Sequence, residues 1–239
     1  AGQRVDLLDG TGGPSPLTTV ASGFRRSTKP DILLPGGRQF YYRPAGNGDV
    51  PTVFRVAPVA SAPGQLAAAP GVGPMEVTRV AYCCGTSNSA ALATRYLALA
   101  LERLNQAPQV LAAEIPVDPF WAVILKSLIV HGASWEEASQ LIEKAFALQN
   151  ADWREAVGTK RQFLGFGEVS PDRCLSASDQ RATVIGWGEI RDQEGLVFFL
   201  PLPPALSAVK EYRRLTTTLT WLTSPNQRHK NYRRAQLYL

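Results

Sequence analysis

The sequence has no apolar run approaching the roughly 18 residues that a membrane-spanning helix requires. Ala1–Gly13 also lacks the basic start and apolar middle of a signal peptide. Histidine is scarce, with His131 and His229 the two present. Cysteine is scarce too: Cys83 and Cys84 are neighbours and Cys174 is remote, so the three make no paired disulfide framework. No Cys or His partner stands at metal-ligand spacing from them. These absences argue against a membrane protein and a disulfide-stapled secreted scaffold, and predict a soluble chain from a reducing, cytoplasmic compartment with no cofactor and no metal. What is present is 239 residues with 45% hydrophobic and 19% charged content, enough for one large domain or two small ones.

The formal net charge of +5 invites a nucleic-acid reading until the charges are placed. Beyond Val209 stand Lys210, Arg213, Arg214, Arg228, Lys230, Arg233 and Arg234 against Glu211 alone, so this region carries the whole excess and the rest is near neutral. Aromatic interleaving is slight and no nucleic-acid motif occurs, so no nucleic-acid partner is predicted.

Along the first eighty residues, runs such as Asp31–Leu34, Thr52–Val56 and Glu76–Tyr82 read as strands between Pro/Gly turns. After Ser87 the texture changes, because Ala90, Ala93, Leu97, Ala100 and Leu104 recur at helical spacing in a segment apolar nearly all round, which predicts a buried helix of roughly four to five turns. A second helix is predicted from Pro119 to Gly132, and a third behind a capping box of Ser134 and Glu137. On this reading Glu136, Glu137 and Glu143 form the solvated face of the third helix. Ala182–Ile190, Gly195–Leu202, Arg214–Leu222 and Arg234–Leu239 cluster β-branched and aromatic residues between turn signals. The chain therefore reads as α/β over residues 1–179 followed by an all-β, sandwich-like appendage over 180–239, whose last run looks like a strand cut short. The related stretches Gly165-Phe166-Gly167-Glu168-Val169 and Gly186-Trp187-Gly188-Glu189-Ile190 lack the third glycine and following helix of a dinucleotide fingerprint, and read as glycine-kinked strands or turns.

Chemistry concentrates in Tyr82-Cys83-Cys84-Gly85-Thr86-Ser87-Asn88-Ser89-Ala90-Ala91: strand, glycine turn, hydroxyl, then a small-residue helix. A serine there has its backbone N–H directed at the place where negative charge develops during acyl transfer, and the helix dipole favours that charge. Alone, the pattern is better explained by Ser87 or Thr86 as an ordinary N-cap. Cys83 and Cys84 read as core residues of the preceding strand.

Gly85-Thr86-Ser87-Asn88-Ser89-Ala90 resembles the Gly-Thr-Ser nucleophile motif of the subtilisin-like serine peptidases. Ser22-Gly23-Phe24-Arg25-Arg26 with Lys29-Pro30-Asp31-Ile32-Leu33-Leu34-Pro35-Gly36 is similar to the Lys-Pro-Asp strand and turn that precede that motif, with Leu34 where alanine is usual. Ile124–Ala133 matches a helix ending in a small residue, and Phe163–Ser170 resembles the Gly-Tyr-Gly-x-Val segment that closes the catalytic domain. The stretch between Gly36 and Gly85 is longer than in compact members and is predicted to hold an extra hairpin through Val53–Val59. The resemblance implies the C-terminal part of a parallel-sheet subtilisin-like domain, with Ser87 as nucleophile, Ser87 and Asn88 as backbone support for the oxyanion, and Gly85 and Thr86 shaping the turn. It also implies a polypeptide substrate. The run from Arg213 to Ala235 is similar to large bacterial subtilases, some encoded beside an AAA-type ATPase, which implies an ATPase partner.

The family runs Asp, His, Ser along the chain, yet no histidine precedes Ser87. His131 is predicted at a helix end, where its charge would meet the dipole, and His229 in a basic turn; both read as structural. Asp31 lies in the wrong motif for the catalytic aspartate and is expected to organise its loop. The chain is thus expected to be inactive alone, with Asp, His and the oxyanion Asn supplied by absent upstream sequence. The rival expectation is a non-catalytic protein-interaction module.

Overall fold

The computed structural model describes residues 3–8, 13–21, 23–24, 27–43, 53–106, 120–147, 150–178, 181–200, 214–228, 235 and 237, the side chain of Glu137 excepted. The N-terminal part folds into two small antiparallel sheets. In the first, β1 (Gln3–Asp6), β2 (Phe40–Arg43) and β3 (Arg55–Ala57) lie in that order, with Val5 opposite Tyr41 and Tyr41 opposite Val56. Tyr41 and Ala57 supply its buried face, and an Arg38–Asp6 ion pair at 2.9 Å pins β1 beside β2. Of the expected hairpin through Val53–Val59, the described residues give one strand, β3, whose partner is the earlier β2. The second sheet is the hairpin of β4 (Gln65–Ala68) and β5 (Val80–Cys83), with Gln65 opposite Cys83.

Two expected strands are shorter than the sequence suggests. Asp31–Leu34 contributes one parallel bridge, Leu33 with Glu168, because Pro30 and Pro35 flank it and supply no N–H to extend a ladder. Glu76–Tyr82 enters the ladder only from Val80, with one more bond from Ala69 N–H to Arg79 O at 3.0 Å, beyond which Pro70 has no N–H to donate.

The longest element, α1 (Thr86–Gln106), has 21 residues, about six turns rather than four to five. Its apolar stripe is covered on one side only: Ala100 is buried, Ala93, Leu97 and Leu104 are half-buried, and Ala90 is exposed. That side rests on α2 (Phe120–His131). Ala100 and Leu104 pack with Ile124 and Leu128, and Ala93 and Leu97 with Ile129, Val130 and Val169. The expectation of a wholly buried helix fails because alanine-rich sides cost little to leave in water, each Cβ removing little apolar area.

The predicted Ser134 capping box is also overturned. Ser134 belongs to β6 (Ala133–Ser134), paired with β7 (Glu168–Val169), and its hydroxyl oxygen accepts from Arg173 at 2.9 Å. Trp135 then takes the cap position of α3 (Glu136–Ala145) with no side-chain cap bond. Glu136 pairs with Arg173, while Glu143 accepts from Lys160 at 2.6 Å, so neither is a merely solvated carboxylate. Unanticipated α4 (Trp153–Leu164) starts at Asp152, whose carboxylate caps the Arg154 N–H at 2.8 Å. Leu164 at its end is fully buried against Ala138 and Ile142. The short α5 (Pro171–Leu175) places Leu175 on the Ile124 cluster.

The described residues carry helices and small antiparallel sheets, a mixed α/β architecture. The expected parallel sheet is absent among them: the strand beyond the α1–α2 crossover, β6, pairs antiparallel with β7 instead of joining β5. The β-rich appendage is corrected likewise. Residues 182–200 and 214–224 form no ladder. Gly186 lies against Phe198 and Gly188 against Leu196 around a turn at Arg191–Glu194, so two segments pass side by side without regular backbone pairing. Residues 201–213 and most of 229–239 lie outside the described residues.

Candidate functional site

Gly85 adopts φ +155°, at the edge of the region that favours glycine, and turns the chain from β5 into α1. Ser87 thus becomes the second residue of the helix and is exposed. Among the described residues neither the Thr86 nor the Ser87 hydroxyl has a hydrogen-bond partner, so the expected hydroxyl cap is not formed. Asn88 N–H donates to Gly85 O at 3.1 Å, which closes the first turn and occupies that amide. The Ser87 amide, rather than that of Asn88, is the donor left open beside the hydroxyl, at the positive end of a long helix dipole.

The turn is braced by the segment around Gly36. Gly85 N–H donates to Gly36 O at 2.8 Å, Asn88 Nδ2 donates to the same carbonyl at 3.0 Å, and Ser89 Oγ donates to Leu34 O at 2.8 Å. A side chain at Gly36 would collide with Gly85 O and Ser89 Oγ, and Gly37 has φ +80° with equally little room beside Cys83 O. The same segment reaches the Gly165–Val169 stretch: Phe166 N–H donates to Asp31 O at 2.8 Å, Leu33 N–H to Gly167 O at 2.8 Å, and Val169 N–H to Leu33 O at 3.1 Å. Gly165 and Gly167, with φ +59° and +112°, form the turn between α4 and β7. Three of the segments that carry the resemblance therefore meet side by side.

Cys83 is half-buried beneath the turn, with Sγ 3.3 Å from Asn88 Nδ2. Cys84 Sγ donates to Gln39 Oε1 at 3.2 Å, and burial, with Cys83 next to it, pushes its thiol up from the ordinary value. Burial alone would raise the Asp31 carboxyl, but hydrogen bonds and charge from Lys29 and Lys126 bring it below the ordinary carboxylate range. Asp31 bonds Lys126 Nζ at 3.1 Å and also pairs with Lys29. It is a loop organiser, as expected.

His131 ends α2, but its Nδ1 lies 3.1 Å from Thr218 Oγ1, not at Ser87. Burial and then the Arg181 charge push its pKa down, so the expected favourable meeting of a charged imidazole with the dipole is outweighed. His229 lies outside the described residues. Among the described residues no group of three or more His, Cys, Asp or Glu could hold a metal ion, and no helix is long and apolar enough to cross a membrane.

Comparison with protein-family models, curated proteins and solved structures finds no match. The site therefore stands on its geometry. Its brace through Gly36, Asn88 and Ser89 was not anticipated; the side-by-side glycines Gly36 and Gly37 were the available signal, since paired glycines mark a close backbone approach.

Proposed function

We propose that the chain carries the nucleophile portion of a serine peptidase of the subtilisin-like kind, with Ser87 attacking the carbonyl of a polypeptide substrate. The observation that carries this reading is the state of the α1 start: Asn88 and Ser89 are tied down, while Ser87 presents an exposed, unpartnered hydroxyl beside its own open amide. On attack, the Ser87 Oγ proton passes to a histidine contributed from outside this sequence, oriented by an aspartate from the same source. The carbonyl oxygen becomes an oxyanion held by the Ser87 N–H and the dipole of α1. Collapse of that intermediate breaks the C–N bond, and the histidine passes its proton to the departing amine, leaving the acyl group on Ser87 Oγ until water, activated by the now neutral histidine, releases it.

In extracts of cells that make the protein natively, a fluorophosphonate probe should place its adduct on the peptide containing Ser87, with none in a Ser87→Ala strain. Absence of that adduct from natively produced protein would remove the reading. It would favour instead a protein-interaction module, which the lack of any histidine contact at Ser87 among the described residues supports.

A further inference from the structure

Asn88 and Ser89 follow Ser87 directly, and both spend side-chain donors on carbonyls from a segment more than fifty positions upstream. Asn88 Nδ2 reaches Gly36 O at 3.0 Å and Cys83 Sγ at 3.3 Å, so one amide group touches both the preceding strand and the Gly36 segment. Ser89 Oγ reaches Leu34 O at 2.8 Å. Neither bond is needed to form a helix, because side chains in a first turn ordinarily cap amides of their own helix. Here they point away from the helix and fix where its first turn stands. Leu34 is itself held, since Leu33 is hydrogen-bonded on both sides to Gly167 and Val169, and Leu34 packs on the Ile129 cluster.

We infer that Asn88 and Ser89 are positioning residues for Ser87, fastening the first turn of α1 to the Leu34–Gly36 carbonyls so that the open Ser87 amide and hydroxyl keep a fixed orientation. This rests on the reading of Ser87 as nucleophile. The two bonds act through different atoms on different carbonyls, so loss of either lets the turn pivot about the other. Gly85 N–H on Gly36 O remains as the third tether, which keeps the turn folded while its orientation loosens.

The test needs no catalytic base. In the full chain, Ser87→Cys places a thiol where the hydroxyl stood, and its pKa is read from the pH dependence of iodoacetamide alkylation by site-resolved mass spectrometry. A thiol facing oriented helix N-terminal amides titrates below the ordinary value of about 8.5. Adding Asn88→Ala should return it toward that value, slowing its alkylation at neutral pH by about fivefold to tenfold. Adding Ser89→Ala should do the same to a smaller degree, and this second variant carries the test if Asn88→Ala loses its helical circular dichroism. A lowered thiol pKa that neither substitution moves overturns the positioning role and leaves the nucleophile reading in place. An ordinary pKa in the Ser87→Cys chain itself overturns the nucleophile reading instead.

Discussion

His131 illustrates how a single side chain can reverse a rule drawn from its sequence position. A helix C-terminus favours an imidazolium, yet burial and then the Arg181 charge push the His131 pKa down, and its Nδ1 is engaged with Thr218. A histidine whose folded pKa is lowered adds nothing to pH dependence above its ordinary value of 6.5. Below that value the unfolded chain binds a proton that the folded chain refuses, so stability falls until the folded ring also protonates. His131→Asn should therefore narrow the drop in Tm between pH 7 and pH 5 relative to the parent. An unchanged drop would show that other groups account for it. Ser87 was legible as a helix-start serine because glycine, hydroxyl and small residues follow a β-rich run. What Asn88 and Ser89 do was not legible, since their partners lie far upstream and no local pattern announces a bond to a distant carbonyl.

At the scale of elements, close approaches decide more than propensity does. Gly167 sits at φ +112° with the Ser134 carbonyl and Trp135 N–H packed against the position a side chain would take, and this contact is where β7 meets β6. Gly167→Ala should cost about 1–3 kcal/mol from backbone strain alone, visible as a lower midpoint in urea unfolding; a change within about 0.5 kcal/mol, typical of an unremarkable surface site, would contradict the described turn. α1 and α2 were legible because their apolar periodicity is long. α4 was missed although Asp152 and Glu155 stand at the spacing of a helix start, because its weak apolar stripe, Ala156, Phe163 and Leu164, is interrupted by Gly158 and charged residues. The C-terminal runs failed in the opposite direction. Their β-branched and aromatic residues have the composition of strands, but composition supplies no partner, and Val197 and Phe199 stay exposed in segments without a ladder.

Taken whole, the described residues hold three separate apolar clusters rather than one continuous core, and the β4–β5 hairpin leaves Leu66, Val80 and Tyr82 exposed. No described basic group is hydrogen-bonded to Ser87, so the chain by itself should cleave peptides no faster than its Ser87→Ala variant, followed with a fluorogenic casein. Turnover well above that variant would require a base within the chain and revise the mechanism. The mixed α/β class was legible from alternating texture; the sheet arrangement was not, because pairing depends on which distant segments meet. The Leu33 contacts with Gly167 and Val169 carry a last consequence, for the order in which the molecule is made. Ser87 leaves the ribosome long before Val169, so the Leu33 bonds to Gly167 and Val169 that hold the Leu34–Gly36 ledge from its other side form only when the later segment emerges. The support beneath the Ser87 turn is therefore completed late, and a nascent chain stalled before α4 would hold that turn by its Leu34 and Gly36 tethers alone.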